Sequence, residues 1–413
     1  VPVWHNATRQ WVADGKLTVL GITQEQHPDR CRLFSQWQQF DWPIVWDPIN
    51  SLESTAVPII VAIDEHGIVR STKLRPETFE QEFLNVTFRD DAPPAATTVA
   101  DANNRRPAKP DLAALRDRAE QSQTARAFRD WADACVLWGG ETEVDAAIKA
   151  YLQATRLDAD DANVLFRLGV AYRLRLDSER REPADFQRAV EHWEQALARN
   201  PNQYIWRRRI QQFGPRLDKP YSFYDWVDQA RREIAARGAT PIALTINPAG
   251  AELADPARAF ATESPAAESP DPDGKIQRDA AWLIQSEVTL VPSRLRAGGT
   301  TRVHIALTPN AVLKAHWNNE ADPLLVWVEV PKGWQVSQQR HSVVPPDKQE
   351  TSTEIRRIDF EVQAPADATG TVKLPAYALY FVCEDENGEC LYLRQDISID
   401  VEVLAVTDKE ESQ

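Results

Sequence analysis

The sequence predicts a multidomain chain built from a partial α/β segment, an all-α repeat segment and an all-β sandwich, in that order. Three observations carry this reading. Short apolar runs alternate with helical patterns over residues 1–90; a recurring spacing of small and aromatic residues runs through 124–246; period-two apolar runs broken by Pro and Gly turns fill 276–408. Two stretches rich in Pro, Ala and small polar residues, 91–123 and 247–275, read as linkers. With 413 residues, 43% of them hydrophobic, the chain can bury about three ordinary cores.

Charge and composition exclude several classes of function. A net charge of −15 argues against nucleic acid, because phosphate binding needs a basic face, and favours basic partners instead. No apolar run approaches the roughly 18 residues that span a bilayer, so no membrane-spanning segment is expected. The seven histidines lie without ligand spacing, so neither a metal nor another cofactor is expected. There is no methionine, even at the start, which suggests that the sequence begins inside a longer product.

Residues 1–90 read as a helix through Trp11, the strand KLTVLGIT, a helix from Pro28 to Phe40, the strands IVWD and VPIIVAID, a turn at Glu65-His66-Gly67, the strand IVRSTKL and a closing helix. This order, with Val57-Pro58 leading into a strand, resembles the redoxin branch of the thioredoxin fold. The resemblance implies a cis-proline at Pro58 that exposes the backbone of Val57 to substrate, whereas the plain alternative is a trans proline opening a strand. The Cys-x-x-Cys of that fold and the central strand before it are missing, so the segment reads as truncated. Its flanking strands then lose a shared hydrogen-bonding neighbour. Cys31 has no cysteine nearby and reads as packing. His27-Pro28-Asp29 spells a tripeptide found in J-domain cochaperones, but without the helical hairpin of that family, helix-start chemistry accounts for it.

Trp131, Ala147, Tyr151 and Ala154 recur as Leu165, Ala189, Trp193 and Ala196, with Leu168, Gly169, Tyr172 and Pro201 completing a second copy. From Phe128 to Ala162 the offset is 34 residues. The pattern resembles the tetratricopeptide repeat, with an insertion at LDSERREP, and implies that a partner peptide is held. Cys135 aligns with Gly169, a close-packing position, and reads as core. QYIWRRRIQQF and FYDWVDQARREIAARG read as further helices; Arg207, Arg208 and Arg209 offer a grip on an acidic peptide, but a short charge run reads first as a solvated face.

In the last segment, AYALYFVC and CLYLRQDISIDVEVLAV flank a polar loop containing Asn387-Gly388, as in a β-hairpin. If Asp385 to Gly388 form the loop, with Gly388 left-handed, Cys383 lies opposite Cys390 within disulfide reach. A bridge closing so short a loop removes little chain entropy, which favours exchange over a structural staple, although the staple stays open. The aromatic strand, the cysteines around an acidic turn, Leu391-Tyr392, and HWNNEADPLLVWVEVPKGWQV with Trp317, Pro323 and Trp334 resemble the amino-terminal periplasmic domain of the DsbD thiol:disulfide interchange family. That family has an immunoglobulin-like sandwich passing electrons through one cysteine pair. Here six residues separate the cysteines, one more than the family pattern.

Two functions follow. The first is an exported, periplasmic thiol-disulfide redox protein that passes electrons through Cys383 and Cys390, exchanging with a thioredoxin-like redox protein, with Val57 and Pro58 facing substrate. The second is a tetratricopeptide scaffold with redox-inactive end domains. Enzyme status depends on whether a Cys-x-x-Cys lies upstream; peroxide reduction lacks any peroxidatic cysteine motif here.

Overall fold

Proline opens both amino-terminal helices, α1 (Pro2–Ala13) and α2 (Pro28–Gln38), where its missing amide would have no intrahelical partner in any case. Asp29, in the first turn of α2, accepts the amides of Arg30 at 2.9 Å and Thr245 at 2.6 Å. Helix-start chemistry therefore accounts for His27-Pro28-Asp29. The computed structural model describes residues 1–89, 108–217, 222–248, 252–254, 268–345, 349–384 and 388–405. The chain divides into two units, one comprising Val1–Ser178, Gln195–Arg209 and Phe223–Pro248, the other Glu179–Glu194, Ile210–Ser222 and Ala249–Gln413.

In the first unit, β1 (Gly21–Thr23) pairs in parallel with β2 (Ile44–Trp46), and β3 (Ala62–Ile63) pairs antiparallel with β4 (Val69–Ser71). These are separate two-stranded sheets. The strands expected over KLTVLGIT and VPIIVAID are thus much shorter than their apolar runs. Each strand has one neighbour among the described residues, so one edge of every strand lacks a ladder partner. Leu20, Ile22, Val45, Ile59, Val61, Ile63 and Val69, in or beside these strands, are about half exposed despite being β-branched or aliphatic.

The helical part starts earlier than expected. Helix α3 (Leu112–Ser122) occupies the end of the stretch read as a linker, its first turn capped by Asp111, which accepts the amides of Ala113 and Ala114. Polar composition hid it. It is followed by α4 (Ala125–Ala134), α5 (Val144–Leu157), α6 (Ala162–Leu176), α7 (Asp185–Arg199), α8 (Tyr204–Gln211) and α9 (Trp226–Ala236). Trp131, Ala147, Tyr151, Ala154, Leu165, Leu168, Tyr172, Ala189, Trp193 and Ala196 are all buried, as their recurrence requires. The Tyr151 hydroxyl donates to Asp133 at 2.6 Å, and Arg167 donates to the other carboxylate oxygen at 2.6 Å.

Helix α2 packs on α9 through Leu33, Val227, Ala230 and Ile234, with the Trp37 and Trp226 rings stacked at 5.8 Å. Beside this core the solvated-face reading holds for Arg207, which is exposed, and fails for Arg208 and Arg209. Arg209 is buried, donating to Gln26 Oε1 at 3.2 Å and to the Gln24 carbonyl at 2.8 Å, while Arg208 stacks on Phe223 at 3.3 Å. Polar acceptors and ring faces are what make burial of these guanidinium groups tolerable.

The second unit holds two sheets. One has the order β10-β13-β7-β5, from β5 (Ile284–Val291), β7 (Thr300–Pro309), β10 (Gln335–Val336) and β13 (Arg356–Gln363). The other has the order β11-β9-β14-β15-β6, from β6 (Arg294–Arg296), β9 (Leu324–Val328), β11 (Arg340–Val343), β14 (Gly370–Cys383) and β15 (Cys390–Leu404). Strand β8 (His316–Asn318) adds to β14, and β12 (Thr351–Ser352) to β8. Pairing is antiparallel except between β15 and β6. Both sheets contribute to one apolar core, Val303, Ile305, Phe360 and Val362 from one, Val326, Leu374, Tyr380, Ile399 and Val401 from the other. The linker expected over 247–275 also needs correction at its end. Asp271 is buried, accepting a bond from Arg394 at 2.8 Å, and its amide meets the Tyr377 hydroxyl at 3.1 Å.

Two measurements check this fold. Amide hydrogen exchange is expected to be fast across β1 and β3 and slow across β14 and β15, because one-sided ladders open locally; equal protection contradicts the account. Burial, then Arg173, Arg30 and Arg209, lower the His27 pKa to about 2. The unfolded chain, with an ordinary histidine near 6.5, therefore binds the proton first, and the neutral histidine's stabilising contribution is lost as pH falls from about 6.5. Replacing His27→Gln is expected to flatten the stability loss between about pH 7 and 5 in denaturant titrations; an unchanged slope contradicts it.

Candidate functional site

Alternation along the longest hairpin builds the site. β14 and β15 stay in register from Gly370↔Val403 to Cys383↔Cys390. Ala378, Tyr380 and Val382 point into the core, so Tyr377, Leu379, Phe381 and Cys383 line the opposite face, with Cys390, Tyr392, Arg394 and Asp396 across from them. Tyr380 secures the inner side by donating to Asp279 at 2.8 Å, whose carboxylate also accepts the amides of Leu283 and Ile284.

Cys383 and Cys390 form a disulfide with Cα atoms 4.0 Å apart. The Glu384 amide bonds to the Glu389 carbonyl at 3.3 Å, which makes the cysteines a non-hydrogen-bonded pair, the position where side chains lie closest. Asp385, Glu386 and Asn387 lie outside the described residues, and so does the turn expected of Asp385 to Gly388. A side chain at Gly388 would collide with the Glu384 carbonyl, so the close approach of the two arms requires glycine. The two residues differ in setting. Cys383 is 3% exposed, whereas Cys390 is exposed.

Aromatic and charged groups continue the outer face. Phe381 and Tyr392 are cross-strand neighbours with rings 4.5 Å apart. Arg394 lies over the Tyr377 ring at 3.9 Å and bridges Asp271 and Asp396 at 2.8 and 2.7 Å. Burial pushes Tyr392 up, helped by Asp322 and Asp271. On the other side of Cys383, β8 places His316 directly opposite it. No sequence signal marked His316, because β8 is three residues long and shows no period.

Val57 and Pro58 are exposed, belong to the first unit, and are joined by a cis peptide bond. Cys135 is buried, and burial followed by Glu143 pushes its thiol up to about 12. Cys31 is half-buried, and burial raises its thiol pKa as well. Among the described residues, no group of three His, Cys, Asp or Glu side chains is placed to hold a metal ion. No helix among them is long and apolar enough to cross a membrane.

A second feature lies on the helices. Glu120, Phe128, Trp131, Ile148, Leu152 and Arg156 line a cavity of about 370 Å³ with an apolar floor and a charged rim. Residues 143–173, which cover α5 and most of α6, match the family described as TPR repeat. No curated protein matches the chain. The repeat suggests a protein-interaction scaffold.

Thiol labelling of the native, unreduced protein is expected to leave Cys383 and Cys390 unmodified and Cys135 slow. Rapid labelling of Cys383 contradicts the bridge.

Proposed function

We propose that the chain is an exported, periplasmic thiol-disulfide redox protein that passes electrons through Cys383 and Cys390 while its helical repeats hold a protein partner. One observation carries the reading: a disulfide at the turn end of a hairpin, with Cys390 exposed and Cys383 buried. Cys390 is the exposed residue of the pair, so an incoming thiolate attacks there and Cys383 is the leaving group. A staple has little to stabilise here. The strands are already joined by a continuous ladder, and a bridge spanning seven residues removes less entropy than the roughly 3 kcal/mol ascribed to a 15-residue loop.

The resemblance of the last segment to the amino-terminal DsbD domain agrees with this role, and that of residues 1–90 to the redoxin branch adds a second module of the same chemistry. Val57 and Pro58 then present backbone to a substrate. The partner that reduces or oxidises the pair is a thioredoxin-like protein. A second reading, a scaffold with redox-inactive ends, is favoured by the TPR match itself.

Electrostatics separates the two. Glu384, Asp385, Glu386 and Glu389 surround the pair in sequence, and their charge opposes thiolate formation and repels anionic thiols. Replacing all four by amides is expected to speed reduction by glutathione several-fold and to weaken the salt dependence of reduction by a thioredoxin-like protein. If neither rate changes with ionic strength or substitution, the scaffold reading stands.

A further inference from the structure

We propose that His316 is the proton donor to the Cys383 sulfur when the disulfide opens, an inference that rests on the redox reading above. Cys383 sits on a central strand with Cys390 opposite it on one side and His316 on the other. Directly opposed residues of antiparallel strands bring their Cβ atoms within about 5 Å on a common face. The faces agree: Val382 and its partner Trp317 are both in the core, so Cys383 and His316 share the outer one.

The exposure difference decides which sulfur needs the proton. A thiolate attacks Cys390, forms a mixed disulfide with it, and breaks the Cys383–Cys390 bond, whose electron pair leaves on Cys383. Cys383 is buried, so a bare thiolate there is poorly solvated. Glu384 and Glu389 add negative charge nearby. An imidazolium beside it supplies both a counter-charge and the proton, yielding the Cys383 thiol and neutral imidazole. The second thiol of a dithiol reductant then attacks the mixed disulfide and releases the Cys390 thiolate, which takes its proton from water. One dithiol is oxidised and one disulfide reduced.

The ring is half-buried and held, with Nδ1 3.3 Å from the Lys314 carbonyl, so Nε2 is the nitrogen left for proton transfer. The other titratable groups on the bordering elements are Lys314 before β8, Asp322 after it, Glu354 beyond β12, Glu384 and Glu389 at the hairpin end, and Tyr392 on β15. None of them lies opposite Cys383.

The test is the rate of reduction of the oxidised full chain by dithiothreitol, divided by the thiolate fraction of the reductant, from about pH 5.5 to 9. For the wild type this corrected rate is expected to fall about tenfold or more as pH rises through one titration. In His316→Asn and His316→Gln it is expected to be flat and at the low level throughout, while Lys314→Gln keeps the wild-type profile. A wild-type rate that follows thiolate fraction alone overturns the proposal without any variant, as does a His316→Asn profile identical to wild type. A wild-type disulfide that dithiothreitol does not open overturns the redox reading as well.

Discussion

The strict two-residue period of the β14–β15 ladder is the constraint on which the second unit depends. Ala376, Ala378, Tyr380 and Val382 on one strand and Leu393, Ile397, Ile399 and Val401 on the other are fixed inward, and one slip in register would turn all of them outward. Burial of these groups, each contributing roughly 1–3 kcal/mol for the larger side chains, locks the register over its whole length. The cysteines meet at its end as a consequence. Their opposition does not rely on the bond between them, which leaves the bond free for chemistry.

Legibility in the sequence followed element length. The long arms of this hairpin carry their alternation over 14 and 15 residues, and the cysteine opposition was readable from them. The repeat was readable because Trp131 recurs as Leu165, 34 residues on, and Ala147, Tyr151 and Ala154 as Ala189, Trp193 and Ala196, 42 residues on, the difference being the insertion at LDSERREP. Strands of two to four residues, among them β8 and β10 to β12, are too short to show any period, so His316 could not be placed beside Cys383 beforehand. Composition misled in the opposite direction at α3 and Asp271, where polar stretches are ordered by a capping carboxylate and by an ion pair with Arg394.

Buried arginines were the largest surprise of the first unit. Arg30 lies over the Tyr224 ring at 4.4 Å and donates to the Ile246 carbonyl, and Arg209 reaches back to Gln24 and Gln26. Burial lowers the Arg209 pKa, with Glu25 and then Tyr224 acting in the other direction. Such groups are costly to desolvate, and these hydrogen bonds and ring contacts offset that cost.

The central claim is that Cys383–Cys390 is an exchanging pair rather than a staple. Its reduction potential, measured by equilibrating the full chain in dithiol buffers of graded ratio and quantifying Cys383 and Cys390 by alkylation and mass, tests that directly. An exchanging pair lies above about −300 mV, within reach of thioredoxin-like proteins. A potential well below about −300 mV, in the range of structural disulfides, contradicts the account.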